Sequence, residues 1–262
     1  MNIIVPIKLV PDLVEELEIN DDGTDLERDF ISYKINEFDD HALEEALQLK
    51  DEHDANVTVI ALDSDETDKV LYTALAKGAD RAIKLTGDLE TGAPSHVLAH
   101  ATANVIKDME YDLVLTGVQA ADDRDGQLGV LLANALGVPH VSVVSDVSVS
   151  GSTATVHKEY AGGVMAKFEV DLPAVLGIQA ARETPRYAPV SRVRQIMRQE
   201  ELDEIEVEST DISVGSNVRR MFAPEAGEDA EMLEGSADEI ADKLIEIIKK
   251  KGIAACVRIF LL

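Results

Sequence analysis

The apolar and polar positions divide the chain into three stretches. Up to residue 138, short β-branched or leucine-rich runs alternate with longer stretches whose apolar residues recur every three or four positions. The short runs at 2–10, 57–62, 81–85 and 113–115 read as buried strands, too brief and too evenly apolar for helices. Pro6 lacks a ladder donor, so the first strand is expected to end or bulge beside it. Between the strands lie helical patterns. One covers 37–53, with Asn36 as a candidate cap and Ala42, Leu43, Ala46, Leu47 and Leu49 inward. One runs to Lys77 and is closed by Gly78. One covers 95–109, and a fourth begins at Leu128. Strand and helix taking turns imply a parallel sheet with helices on both faces.

The pattern changes after Pro139. Residues 141–149, 153–160 and 164–170 alternate in and out, as half-covered antiparallel strands do, and 174–178 is another apolar run. Nearer the N-terminus, 13–19 and 30–35 flank the turn Asn20-Asp-Asp-Gly-Thr24 and read as a hairpin. The acids there fall near calcium-loop spacing, but strand-like flanks are wrong for that motif. From residue 200 the chain is acidic, then rich in Pro, Gly and charge, and reads as an extended arm. Ser236 can cap a last helix over 237–251, with Ile240, Leu244, Ile247 and Ile248 as its stripe. The division expected is an α/β domain over 1–199 and an arm over 200–262. The apolar end, 252–262, is expected to be buried against something, another chain included.

Charge narrows the function. The chain of 262 residues has 24 basic and 51 acidic side chains, a formal net charge of −27. Such a surface repels nucleic acid and anionic membranes. The acids are spread along the whole chain, which fits a surface solvated in high salt better than one acidic patch. One cysteine, Cys256, excludes a disulfide framework and fits a reducing cytoplasm. No signal-peptide pattern opens the chain, and no apolar run is long enough for a membrane span.

Chemistry concentrates in 112–129. An apolar strand stops at Thr116-Gly117, a loop rich in Asp and Gly follows, and a helix begins at Leu128. Strand, polar loop and helix start is how α/β sheets seat nucleotides, with free backbone N–H groups turned to the ligand. In a parallel sheet the ends of the other strands, Val5-Pro-Ile-Lys8 and Leu62-Asp-Ser-Asp65, open on the same edge, and the helix start at Asn36 joins them. Asp122, Asp123 and Asp125 either accept from ribose hydroxyls and backbone N–H groups or cap the following helix. Neither a P-loop nor GxGxxG is present. His96 and His100 share a helix face without an acid between them and read as surface residues, not zinc ligands. No nucleophile elbow or other catalytic framework is recognisable, so a binding or carrier subunit is favoured over an enzyme. A stand-alone nucleotide-binding signalling or stress protein, and an ATP-dependent hydrolase or ligase, remain as alternatives. Five arginines between 182 and 198 run against the overall charge. They either pair with the chain's own acids or form a docking segment.

Several blocks in order resemble the β subunit of electron transfer flavoproteins: Val5-Pro-Ile-Lys8, Asn36-Glu-Phe-Asp39, Ala74-Leu-Ala-Lys-Gly-Ala-Asp-Arg81, Asp112-Leu-Val-Leu-Thr-Gly-Val-Gln-Ala-Ala-Asp-Asp123, Glu159-Tyr-Ala-Gly-Gly163, Leu172-Pro-Ala-Val175 and Pro185-Arg-Tyr187. The resemblance implies a Rossmann-like fold and a heterodimer with an α subunit that holds most of the redox-active FAD. It implies AMP, or a second FAD in bifurcating members, in this chain. Carried over by position, the nucleotide contacts would be Pro6, Asn36, Glu37, Phe38, Asp39 and Ser64. They would continue through Gly117, Val118, Gln119, Ala120, Ala121, Asp122, Asp123, Arg124, Asp125, Gly126, Gln127 and Leu128. Val190 would sit in the segment that docks acyl-CoA or other dehydrogenases, Glu159 near the subunit interface, and a quinone oxidoreductase would accept the electrons. Glu37 stands where the family usually has proline, and Val190-Ser191 where its docking loop usually has Leu-Pro. No catalytic or metal residue is implied, and the arm would contact the α subunit.

Overall fold

The computed structural model describes residues 1–64, 66–87, 94–123, 125–207, 218–224, 227 and 230–252. Residues 1–221 form one compact unit and 222–262 a second. Arg124, Asp65, Cys256 and the apolar end lie outside the described residues.

The first unit is built on a nine-stranded sheet. β1 (Asn2–Pro6), β4 (Asn56–Leu62), β5 (Arg81–Thr86), β6 (Leu113–Gly117) and β10 (Ala174–Ile178) are parallel. Helices α1 (Glu37–His53), α2 (Thr67–Lys77) and α3 (Ser95–Ile106) make the crossovers, and α4 (Leu128–Leu136) follows β6. The order β5-β4-β1-β6-β10 means the chain first builds outward from β1 and then returns to its other side. The strand order therefore reverses between β1 and β6, where α/β sheets hold ligands.

Side chains of successive strand residues point to opposite faces, so each central strand feeds two cores. Ile3, Val5, Leu113 and Leu115 pack with Leu43 and Leu47 of α1 on one face. Ile4 and Val114 pack with Ala103 and Ile106 of α3 and Leu132 of α4 on the other. This is the doubly wound arrangement expected, with antiparallel strands added.

The added strands are β7 (His140–Ser150), β8 (Thr153–Tyr160) and β9 (Val164–Asp171). β7 starts parallel to β10 and continues as the antiparallel partner of β8. Drawn straight, its far end would lie about 33 Å from His140 at the usual rise per residue. Yet Leu172 N–H donates to Ser152 O, two residues before β10 begins at the other end. β7 must turn back over the sheet, and Val144, Val147, Ala154 and Val156 join the α1 core. The corner is Val143, a β-branched residue held at φ +63° beside the register shift. That left-handed geometry is costly for valine.

The strand end expected at Pro6 is found there, and other expectations change. β1 ends at Pro6, and Leu9–Pro11 forms a separate short strand, β2, paired with β3 (Tyr33–Ile35). The expected hairpin over 13–35 is therefore a loose strap. Its ladder is β2–β3, and a single bridge joins Ile19 and Leu26 near its tip. Residues from 200 onward are not all arm: β11 (Asp203–Glu206) pairs with β5 at the sheet edge, which extends the sheet past residue 199. The described residues also form α5 (Val190–Ile196) and, in the second unit, α6 (Ala237–Lys250).

Candidate functional site

At the carboxyl ends of the parallel strands lies a cleft of about 780 Å³, within the roughly 300–1,000 Å³ usual for ligand sites. Its walls come from Pro6, Ile7 and Lys8 after β1, from Leu62, Asp63 and Ser64 after β4, and from Leu85 of β5. Asp122, Asp123, Asp125, Gln127 and Leu128 of the β6–α4 loop face them, and Ser95 and His96 close the α3 side. The strap adds Thr24, Asp25, Arg28 and Tyr33, and Val218 and Met221 complete the wall. Met221 N–H donates to Gly23 O at 2.7 Å, tying that last segment to the strap's turn.

Of the sequence-derived contacts, Pro6, Ser64, Asp122, Asp123, Asp125, Gln127 and Leu128 line the cleft. Asn36 and Asp39 lie outside its lining and are buried. Asp39 accepts the backbone N–H of Lys8 at 2.9 Å and of Gly117 at 3.0 Å, so one carboxyl joins the ends of β1 and β6. Burial pushes this carboxyl up to about 7, against the opposing pull of those N–H groups, of Asn36 and of the Lys8 charge. Gly117 is required here: a Cβ would meet Asp39 Oδ1, and Phe38 Cβ at 2.8 Å. Asn36 does not cap α1 with its side chain. Its amide donates to Gln119 O at 2.8 Å and fixes the loop instead. Glu37 is exposed at the start of α1.

The loop is shaped by its own backbone. Ala120 and Asp123 exchange N–H···O bonds at 3.0 and 3.2 Å. Gly126 has φ +62°, and a Cβ there would lie 2.7 Å from Val118 O. Ala121 is exposed on the loop. The residue capping α4 is Gln127, with no side-chain capping bond, so the helix-cap reading of the three aspartates does not hold. Asp122 pairs with Lys8 at 2.9 Å, and Asp123 accepts from Ser95 Oγ and from Asp125 N–H. Thr67 donates its hydroxyl to Leu62 O, so Ser64 Oγ must donate to Thr67 and keeps its lone pairs for a ligand.

Sequence reasoning missed the strap, the start of α3 and Met221. The turn Asn20–Thr24 was visible, but nothing local shows that it folds over a strand end 14 or more residues away. His96 was read as a surface residue and lies on the cleft wall.

The arginine segment splits in two. Arg182 bonds Glu45 at 2.9 Å and Glu52 at 2.8 Å, and Arg186 forks onto Glu44 at 3.0 Å and reaches Asp51 at 3.2 Å. Glu44 and Glu45 are buried on α1 and also accept the backbone N–H groups of Arg186 and Arg182. These two arginines hold the loop to the chain's own acids. Arg192, Arg194 and Arg198 make no ion pair among the described residues, beside exposed Tyr187, Val190 and Met197.

Fold and cleft together define a doubly wound α/β protein with an open cleft at its strand-order reversal. A family model for the electron transfer flavoprotein domain matches residues 26–210. The chain is 36% identical over 261 residues to the electron transfer flavoprotein subunit beta of Methylophilus methylotrophus, covering 95% of this chain and 98% of that protein. It is 33% identical over 258 residues to the subunit beta of Clostridium acetobutylicum, covering 96% and 99%. To the mitochondrial subunit beta of Oryza sativa subsp. japonica it is 30% identical over 250 residues, covering 93% and 97%. The chain belongs to the electron transfer flavoprotein family, as one of its β subunits, and its role is electron transfer. Among the described residues no helix is long and apolar enough to cross a membrane.

Proposed function

We propose that the cleft holds an adenine nucleotide, AMP or a second FAD, and that the chain acts as the non-catalytic half of a heterodimer. The redox FAD, whose flavin ring gives and takes the electrons, would sit mainly in the α subunit. The observation that carries the reading is the cleft itself, at the reversal of strand order and lined by the β6–α4 loop. Its walls suit such a ligand. Ile60, Ala61, Leu85 and Leu98 offer apolar surface to a base. Ser64 and the loop aspartates offer acceptors to ribose hydroxyls.

Two exposed apolar surfaces support the partner reading. Val164, Met165 and Phe168 stand out on β9, and Leu244, Ile245, Ile247 and Ile248 on α6. Residues from 222 onward are the proposed α-subunit arm, and Val190 with its neighbours the docking point for acyl-CoA or other dehydrogenases. A quinone oxidoreductase is the proposed acceptor and a salt-rich cytoplasm the proposed setting.

The test is to co-express the chain with its α subunit, denature the purified complex and identify released nucleotides by mass spectrometry. One AMP and one FAD per heterodimer is the expected simple carrier. Two FAD would mark a bifurcating member. FAD alone at one per heterodimer, with no second nucleotide, would remove the cleft's proposed role.

A further inference from the structure

Between the end of β10 at Ile178 and the start of α5 at Val190 the chain forms no helix or strand. Pro185 and Pro189 carry no N–H, and the other backbone donors of this stretch need partners. Side chains of α1 take three of them. His41 Nδ1 accepts the N–H of Ala181 at 3.2 Å, Glu45 that of Arg182 at 3.1 Å and Glu44 that of Arg186 at 2.9 Å. The same two carboxylates also take the guanidinium groups. Arg182 Nε donates to Glu45 at 2.9 Å, and Arg186 Nε and Nη2 form a fork on Glu44, each at 3.0 Å. Each glutamate therefore fixes both the backbone and the side chain of one loop residue.

Two carboxylates buried on a core helix are a weak source of net stability, because desolvation offsets most of the attraction within each pair. What these pairs supply is a geometry: a planar fork and a shared N–H on one carboxylate narrow the paths open to the backbone. Their burial also leaves them little screened by salt. The residues that follow are arranged for contact. Tyr187, Val190 and Met197 stand exposed, while Ala188 and Ile196 between them are buried and anchor the segment. Apolar side chains held in water on a fixed backbone suit a partner surface, since ordering them beforehand lowers the cost of association.

We propose that Glu44 and Glu45 are positioning residues for docking: they set the path of residues 181–186, and with it the geometry in which Tyr187, Val190 and Met197 meet a redox partner. The inference rests on the docking reading of Val190 and its neighbours given above, and the two fail in different ways.

The full chain, purified with its α subunit, is reduced by an acyl-CoA dehydrogenase and its acyl-CoA, with the concentration of the complex varied to separate KM from kcat. Glu44→Gln keeps the shape of the side chain and removes its charge. It should raise KM about tenfold, the cost of ordering one or two side chains again on docking, with kcat and bound flavin little changed. Val190→Asp, which tests the docking reading itself, should raise KM at least as much. In the free complex, Glu44→Gln should quicken amide exchange in residues 187–199 while α1 stays protected. Should Glu44→Gln fail to fold because Arg186 is left unpaired, Glu44→Gln with Arg186→Gln removes both charges and carries the same comparison. Glu45→Gln with Arg182→Gln does so for the second pair. A KM raised by Val190→Asp but unmoved by the glutamate variants, or unchanged exchange in 187–199, overturns the positioning role and leaves the docking reading standing. A KM unmoved by Val190→Asp, or wild type left oxidised by the dehydrogenase, overturns both.

Discussion

Helix α1 has seventeen residues and buries eight of them; α6 has fourteen and buries none. Both show apolar residues at helical spacing, yet different forces hold them. α1 has no side-chain cap, and three acidic residues, Asp39, Glu44 and Glu45, are buried on it. Its stability is tertiary: Leu43 and Leu47 fill the core under β1 and β6, and its buried acids tie down distant segments. α6 depends on local signals. Ser236 and Glu239 form a reciprocal capping box, Asp238 and Glu239 open the first turn, and Lys249 and Lys250 close the last. A helix carried by tertiary contacts tolerates poor local signals, whereas one without burial needs good ones.

The comparison is broken most forcefully from the α1 side. Leu43→Ala removes a fully buried side chain and should cost about 2–5 kcal/mol of chain stability in denaturant unfolding. A loss under 1 kcal/mol would mean that α1 is not the keystone described. Next comes Asp39, whose folded carboxyl is pushed up to about 7 from an ordinary 3.8. The folded state therefore holds a proton that the unfolded chain gives up. Asp39's contribution to stability is fully present below about pH 4, falls as pH rises toward 7 and is flat above it. Across that window the loss amounts to as much as about 4 kcal/mol. Asp39→Asn should remove this slope, so its unfolding free energy, compared with wild type at each pH, should gain steadily from pH 4 to 7. Parallel pH profiles would show that Asp39 is ionised throughout.

The smallest effect belongs to α6. Ser236→Ala should cost that helix about 1 kcal/mol. It should be visible as earlier amide exchange in residues 237–250 while the main unfolding transition stays in place. A shift of the whole transition would mean that α6 is not held by local signals alone.

Periodicity was enough to find both helices, because it reports which face is apolar. It could not tell them apart, because nothing in a stripe says what covers it. The central strands were legible for the same reason: residues such as Ile3, Ile4 and Val5 are apolar on both faces. Pro6 marked its strand end through simple sterics. The pins at the cleft were not legible. Asp39 and Gly117 are 78 positions apart, and Asn36 meets a carbonyl 83 positions away. Only the strand order brings them together. The turn of β7 at Val143 was hidden too, since valine is a poor residue for φ +63° and carries no turn signal.

The bonds of Asp39 also fix which side of the cleft is harder to open. With one carboxyl fastened to the ends of both strands, the slot between β1 and β6 cannot widen without breaking two hydrogen bonds inside the protein. The opposite wall is fastened differently, by contacts near the surface such as the Gly23–Met221 bond. One jamb is fixed and the other is hung. Opening the strap side would break contacts near the surface, whereas opening the sheet side would break both bonds of a buried carboxyl.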